Sequence, residues 1–444
     1  MGAKFGKALN SEIGALSCLE SEFGGGRIRT GCLRKHAFRQ RCRKSLPGSQ
    51  HPNILAQIDY SMSESSEPLA PSEPSRMEHR FQQIVVEEAP GFRNRMIRAL
   101  LRALSLPYAA VIEGYKLLFK LGILRTIRLP CRIVSVGNLA LGGVGKTVAV
   151  QAIARALQKA GLSCVVLSYG FRSTSPGPYS VVSDGSRRLL NPEEAGDEAV
   201  MLADSLPGVP VVIGKRRALS GAAAVELFHP DVILLDDGFQ HWRLHRDVDI
   251  VLLDARKPLG NGRVFPAGIL REGPRSLRRA SLLVLTRCDQ ASLEELRNAR
   301  QTLRQIAPRA PLFETTHRLA AARVVETNAG TPSTQPAEVH RQSPPCPQGP
   351  LLLVSGIGQN EAFETAVRET GASVRSVLRF PDHHLYSTSD VKEIAAAGEG
   401  CSAVLTTEKD AVKLAGQWSC ELPLLAAPVA LEGISDDQWL EILM

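Results

Sequence analysis

The stretch that most narrows what this chain can fold into is a short strand, a glycine-rich loop and a helix, in that order. Arg132-Ile-Val-Ser-Val136 is a β-branched run that reads as a buried strand. Gly137-Asn-Leu-Ala-Leu-Gly-Gly-Val-Gly-Lys146-Thr147 follows, and Val148 to Ala160 then carries Val150, Ile153, Ala154 and Leu157 on one helical face. Gly142, Gly143 and Gly145 let backbone N–H groups turn inward around a phosphate, and the helix start adds the positive end of its dipole. Lys146 supplies a point charge for β- and γ-phosphates, and the Thr147 hydroxyl a hard oxygen for Mg²⁺. The residues Ala140, Leu141, Gly142, Gly143, Val144, Gly145, Lys146 and Thr147 are therefore the expected ATP cradle. The strict motif has glycine where this chain has Ala140, so the loop is the GGVGKT variant. Partition-type ATPases share that variant but place a second lysine where this chain has Leu141, which separates the two.

Beyond the loop, β-rich runs alternate with helical segments: Cys164–Leu167, Val209–Ile213, Val232–Leu235, Ile250–Leu253, Leu282–Leu285, Leu351–Val354 and Ala403–Thr406. Such alternation predicts an α/β fold, a mainly parallel sheet flanked by helices. The boundaries read as a phosphate-loop kinase core over 130–325, an inserted disordered stretch over 326–350 and a smaller C-terminal α/β lobe over 351–444. Ligands of parallel sheets sit at strand carboxyl ends, so polar residues just after each run are the candidates. Asp236 and Asp237, Gln240 and His241, Arg271 and Glu272, and the helix-opening Asp197 and Glu198 all qualify. Each has a plainer role open to it: a strand-ending turn, a helix N-terminal carboxylate or a surface ion pair. Glu408-Lys409-Asp410 reads as a solvated face or a structural cap.

The charge is unevenly spread. The chain has 444 residues and a formal net charge of +8, but residues 1–130 hold 20 Lys and Arg against 11 Asp and Glu, and 131–444 hold 33 against 34. A neutral body is not built to grip nucleic acid. Nine cysteines, an odd number with no C-x-x-C pair, exclude a disulfide scaffold. Residues 1–76 read as a disordered basic extension: no acid stands between Phe23 and Ile58, while eight Arg and Lys accumulate there. An Arg-rich, acid-poor N-terminus is what organelle import reads, with mitochondrion ahead of plastid. From Phe92 to Arg128 two apolar segments flank Pro107, which suits a helix's first turn but not its interior. With Arg93, Arg95, Arg98, Arg102, Lys116, Lys120, Arg125 and Arg128 among them, segment 92–128 fits a basic amphipathic helix, either lying in a membrane interface or packed on the body.

Taken together, these motifs resemble the tetraacyldisaccharide 4′-kinases, which phosphorylate the 4′-hydroxyl of a lipid A precursor. The matching pieces are VGNLALGGVGKT (136–147), GDE (196–198), DDGFQHWRLHRD (236–247), GNGRVFPAGILRE (260–272), SGIGQ (355–359), FPDHH (380–384) and TTEKDAVKL (406–414), in family order. The resemblance implies a peripheral enzyme, monomeric, that meets an acylated glucosamine disaccharide at a membrane surface, with ATP and Mg²⁺ as cofactors. In a mitochondrion that surface is the inner membrane. It implies Asp197 as general base paired with His383, catalytic roles for Lys146 and Asp237, and metal-side roles for Thr147, Asp236, Glu198 and Glu272. Gln240, His241, Arg271 and Arg172 are implied on the substrate side. It also favours the interfacial reading of 92–128. The chain departs from the family at Tyr169, where an arginine is expected, at Ala140 and at Val148. A fluorescent protein fused behind residues 1–90 is expected to accumulate in mitochondria of a eukaryotic cell. Retention in the cytosol, seen by microscopy, would reject the import reading.

Overall fold

The computed structural model describes residues 84–85, 90–171, 173–175, 177–325, 327, 349–358, 360–382 and 384–444. The expected extension over 1–76 and nearly all of the insertion over 326–350 lie outside them. Eight strands build the first sheet: β1 Arg132–Asn138, β2 Cys164–Ser168, β3 Ser180–Ser183, β4 Val211–Ile213, β5 Val232–Asp236, β6 Val248–Asp254, β7 Leu282–Thr286 and β8 Leu312–Glu314. Their order is β3-β4-β2-β5-β1-β6-β7-β8, and every pairing is parallel except that of the edge strand β3 with β4. Helix α1 is Phe92–Lys120, and α2 Lys146–Lys159, α3 Pro192–Ala195, α4 Asp197–Ser205, α5 Arg217–Phe228 and α6 Leu293–Ile306 connect the strands. The mainly parallel sheet flanked by helices is the architecture that the alternation predicts.

Strands buried on both faces need continuous apolar runs, and β2, β5 and β7 have them. Alternate residues serve opposite faces. Val134, Val166 and Leu234 join α2 and α4 in one core, where Val150, Ile153, Ala154 and Leu157 are all fully buried. Ile133, Val165, Leu167 and Ile233 face the other way, with Ala224 of α5. A further core unites Val251, Leu253, Leu283 and Leu285 with Leu296, Ala299 and Leu303 of α6.

The second half of the chain supplies β9 Thr316–Leu319, β10 Arg323–Val324, β11 Leu351–Ser355, β12 Val374–Arg379, β13 Ala403–Thr407, β14 Leu424–Ala427 and β15 Val429–Glu432. Its helices are α7 Asn360–Glu369, α8 Thr388–Ala397, α9 Glu408–Ala415 and α10 Asp436–Leu443. A smaller sheet has the order β10-β14-β13-β11-β12, while β9 and β15 form a separate antiparallel ribbon. The chain then returns. Ser435 caps α10, and Trp439 and Leu443 bury themselves in the core of α2. The core expected over 130–325 is thus completed by the last ten residues of the protein.

The helical segment expected over 92–128 is a single helix of 29 residues that runs through Pro107 and ends at Lys120. A mid-helix proline removes the N–H that would bond four residues back. Here that carbonyl belongs to Ala103, an exposed residue, so the lost donor is not missed in a dry interior. Phe92, Met96, Leu100 and Leu104 form an exposed apolar row at every fourth position. No helix among the described residues is long and apolar enough to cross a membrane.

Replacing Trp439 by alanine is expected to cost about 3–5 kcal/mol of unfolding free energy, the usual loss for a buried large aromatic. Urea denaturation measures it, and an unchanged midpoint would mean that α10 is no part of this core.

Candidate active site

The loop between β1 and α2 is shaped by what it does with its carbonyls. The Asn138 amide donates to the Ala140 carbonyl and, at 3.3 Å, to that of Gly142. Arg287 donates to the Gly143 carbonyl at 2.7 Å. Leu141 N–H bonds the Ile269 carbonyl and Arg271 N–H bonds that of Leu139, so the segment ending in Arg271 is laced to the loop's first half. Four loop carbonyls, those of Leu139, Ala140, Gly142 and Gly143, are thereby committed to the protein, and an anion meets peptide N–H groups at a helix start instead. Gly145 takes φ +86° as the residue before α2, and a Cβ there would lie 2.5 Å from the His317 ring, so only glycine fits. Ala140 and Val144 are buried, Leu141 is exposed, and Lys146 and Thr147 open α2 at the edge of the sheet's carboxyl end.

Lys146 Nζ donates to Asn138 Oδ1 at 3.2 Å and stands 3.7 Å from Asp237 Oδ1. Arg271 reaches the other oxygen of the same carboxylate at 2.9 Å, with Gln240 Oε1 3.4 Å away. The Gln240 amide in turn donates to the Asn138 carbonyl at 3.0 Å. The two adjacent aspartates are driven apart electrostatically. Burial pushes Asp236 up, helped by Glu198 and Asp237, to about 6 despite Lys146 and Arg217. Burial also works against ionised Asp237, but Arg271 and Lys146 overcome it and hold that carboxyl at about 2. Asp237 has φ +57°, a conformation that aspartate tolerates better than most side chains. One buried carboxylate oxygen of Asp237 has no hydrogen-bond partner among the described residues. That oxygen faces Lys146 without accepting a hydrogen bond, and the next carboxyl, Asp236, is electrostatically coupled to Glu198. Such a set of hard oxygens fits Mg²⁺, which binds through one or two carboxylates plus phosphate oxygens rather than in an all-protein cage. No pre-built cluster of three or more such ligands exists among the described residues.

Asp197 opens α4, half-buried, with Glu198 exposed beside it. Gly196 before it, at φ +88°, leaves only 2.3 Å between a built Cβ and the Phe171 carbonyl, so the GDE turn leans directly on the loop after β2. His241 is held neutral, its ring pushed down to about 3 by burial and by Arg217. Glu272 does not join the metal side, contrary to the expectation. It is 2% exposed, and both its oxygens are engaged by Arg279, Ser276 and Lys116, which turns it toward α1. His383 and Arg172 lie outside the described residues.

Three residues of the site lie outside the motifs singled out from sequence, although Arg287 stands two positions after the run Leu282–Leu285 and so meets the strand-end criterion. Arg217 is 3% exposed, donates to the Asp236 carbonyl at 2.8 Å and lies 5.9 Å over the Tyr169 ring, which brings a guanidinium to the place where an arginine is missing at 169. Its Nε and Nη1 have no hydrogen-bond partner among the described residues. Arg287 ties the Gly143 carbonyl to Asp254 at 2.7 and 2.8 Å. His317 arrives from β9, and burial and Arg287 push its ring down to about 4.

Comparison with known proteins places this geometry. The family described as LpxK, tetraacyldisaccharide-1-P 4'-kinase, matches residues 97–444. A protein of Geobacter metallireducens named tetraacyldisaccharide 4'-kinase is 39% identical over 350 residues, covering 78% of this chain and 97% of its own length. One of Syntrophus aciditrophicus with the same name is 36% identical over 340 residues, 71% of this chain and 87% of its own. The crystal structure of LpxK from Aquifex aeolicus in complex with ATP aligns with a TM-score of 0.59 at 30% identity, covering 78% of this chain and 100% of that one.

The neutral His317 gives a pH dependence of definite sign. Unfolded, a histidine titrates at its ordinary 6.5; folded, this one titrates at about 4. Above 6.5 neither state binds the proton. Below it the unfolded chain takes up a proton that the folded chain refuses, so stability falls as pH drops from about 6.5 toward 4. His317→Gln is expected to flatten part of that fall in Tm measured against pH. An unchanged slope would remove His317 from the account.

Proposed function

The chain belongs to the tetraacyldisaccharide-1-P 4'-kinase family, and on that premise we propose that it transfers the γ-phosphate of ATP to the 4′-hydroxyl of a tetraacyldisaccharide 1-phosphate, giving the 4′-phosphorylated lipid of lipid A biosynthesis. The observation that carries this reading is the ion chain Lys146–Asp237–Arg271, which joins the phosphate loop to the PAGILRE segment at the carboxyl edge of the sheet. A nucleotide switch would have no use for such a chain leading away from the phosphates. An acceptor-side arginine does.

Phosphoryl transfer is positioning and charge neutralisation. Lys146 and the loop amides hold the β- and γ-phosphates, and Asp237 keeps the ammonium aimed between them and Arg271. Thr147, Asp236 and Glu198 would hold Mg²⁺, which supplies neutralisation of the charge on the transferring group. A neutral sugar hydroxyl must lose its proton as it attacks. Asp197 is assigned that role by the resemblance, with His383 as its partner; the half-buried position of Asp197 against the loop after β2 supports the assignment. Gln240 and Arg271 serve the acceptor, and the neutral His241 can donate or accept there without adding charge.

The acceptor's acyl chains stay in a bilayer, so the enzyme works at a membrane surface. The exposed row Phe92, Met96, Leu100 and Leu104, with Arg93, Arg95 and Arg102 around it, suits an anionic interface. In a eukaryotic cell the basic extension would deliver the protein to the mitochondrion, where the same helix would rest on the inner membrane. Incubation with γ-labelled ATP, Mg²⁺ and tetraacyldisaccharide 1-phosphate in detergent micelles is expected to label the lipid, and Lys146→Ala to slow labelling by about 100-fold or more. No labelled lipid from the wild type, identified by mass spectrometry, would reject the reading.

A further inference from the structure

The one fully buried residue of α1 is not an aliphatic side chain but Lys116, 6% exposed. An ammonium taken out of water needs partners. It has three: Glu113 Oε1, Ser276 Oγ at 3.1 Å and Glu272 Oε2 at 3.6 Å. Glu272 is gripped from its other side by two Arg279 nitrogens at 2.8 and 2.9 Å, and the Ser276 hydroxyl donates to it at 2.8 Å. Arg279 then lies 3.6 Å over the Phe239 ring and 4.5 Å from that of Trp242, and donates to the Phe239 carbonyl at 2.9 Å. Gln240 and His241 sit between those two aromatics in the chain.

A second thread runs parallel to this one. The Tyr108 hydroxyl of α1 donates to the carbonyl of Arg271 at 3.3 Å, and Tyr108 packs edge-on against Phe265. Farther along α1, Phe119 meets Trp242 at 6.3 Å. Both acceptor-side loops, 236–242 and 266–272, are therefore bound to the inner face of a helix whose outer face is apolar and exposed.

We propose that Glu272 is a positioning residue: with Lys116 and Arg279 it fixes Arg271 and the Phe239–Trp242 loop to α1, so that the seating of α1 sets the geometry of the acceptor site. A helix lying on a bilayer would then hold the loops that receive a substrate from that same bilayer. This rests on the lipid-kinase reading. A buried ion pair adds little net stability compared with apolar packing, so stability alone does not explain why charge is kept here. Arg279 also needs its planar fork and its stacking surface, which lysine lacks.

The test is Glu272→Gln and Lys116→Met in the full-length protein, with Glu294→Gln, an exposed carboxylate on α6 outside this thread, as control. Rates are read with lipid acceptor in mixed micelles and with ATP varied separately. Both variants are expected to lose about 10-fold or more in kcat/KM for the lipid, with KM for ATP within about twofold of wild type. The double variant is expected to lose no more than the worse single one, because both act on one thread. Glu272→Asp should recover part of the loss. Amide hydrogen exchange at 237–242 is expected to rise in Glu272→Gln and not in the control. A loss shared equally between lipid and ATP, a loss that follows Tm, or wild-type lipid kinetics would each overturn the proposal. If the wild type labels no lipid, the kinase reading fails, and exchange at 237–242 alone decides the coupling: raised, it stands; unchanged, it falls.

Discussion

Everything at the carboxyl edge of the first sheet depends on a single carboxylate shared by two cations. Asp237 lies between Lys146 and Arg271, and its neighbour Asp236 is buried and pushed the opposite way. Two adjacent aspartates at one strand end would repel if both were ionised in a dry recess. Placing both cations on Asp237 resolves this. It leaves one aspartate firmly anionic and the other with a raised carboxyl facing Glu198. The price of that arrangement is a positive φ at Asp237, and the sheet provides it by ending β5 one residue earlier.

That strand ending also shows what the sequence could and could not reveal. The apolar runs place eight of the parallel strands, but six of them stop one residue short: β2 ends at Ser168, β5 at Asp236, β6 at Asp254, β7 at Thr286, β11 at Ser355 and β13 at Thr407. At each of these positions the side chain turns polar while the backbone is still in the ladder, because the carboxyl ends of the strands are where the site begins. Periodicity reads side chains and not hydrogen bonds, so it drops the residues that matter most for chemistry. The phosphate loop, the aspartate pair and Arg271 were legible because they come as contiguous motifs. Arg217, Arg287 and His317 were not, since each lies outside those contiguous motifs and is brought to the site by a distant element. Glu272 misled for the opposite reason: it is adjacent to Arg271 in the chain, but the two side chains diverge, one to Asp237 and the other to Arg279.

Helix α1 divides its two faces between two tasks. Its outer row is apolar at every fourth residue, whereas its inner side makes hydrogen bonds, an ion pair and ring contacts to 236–242 and 265–276. A helix that only covered a core would bury leucines there. The choice of Tyr108 and Lys116 gives directional contacts, which specify an orientation in a way that apolar packing does not. Pro107 is compatible with this because its ring and the carbonyl it orphans face solvent, away from the tied side.

Glu408-Lys409-Asp410, readable from sequence as a solvated face or a structural cap, has a different part in the structure. Thr407 does cap α9, but Asp410 is fully buried, accepts from Gly356 N–H at 2.9 Å and pairs with Lys413 at 2.9 Å. Glu408 is drawn inward as well, its carboxyl pushed up by burial and eased by Arg323 at 3.3 Å. Its other oxygen lies 3.5 Å from Gln151 of α2, whose amide also donates to Ser205 of α4 at 2.8 Å. The helix that starts at the phosphate loop and the helix that starts at Asp197 are thus joined directly, with α9 reaching the same glutamine. From the same helix Lys409 reaches Asp382 at 3.4 Å and Lys413 donates to the His384 carbonyl at 3.0 Å, so both chain neighbours of position 383 are held by it. A contiguous run of charged residues looks like solvated surface when read alone. Here it is the joint that relates three separate parts of the proposed reaction centre, and its buried charges, Glu408, Asp410 and Lys413, are each also bonded to a residue outside α9.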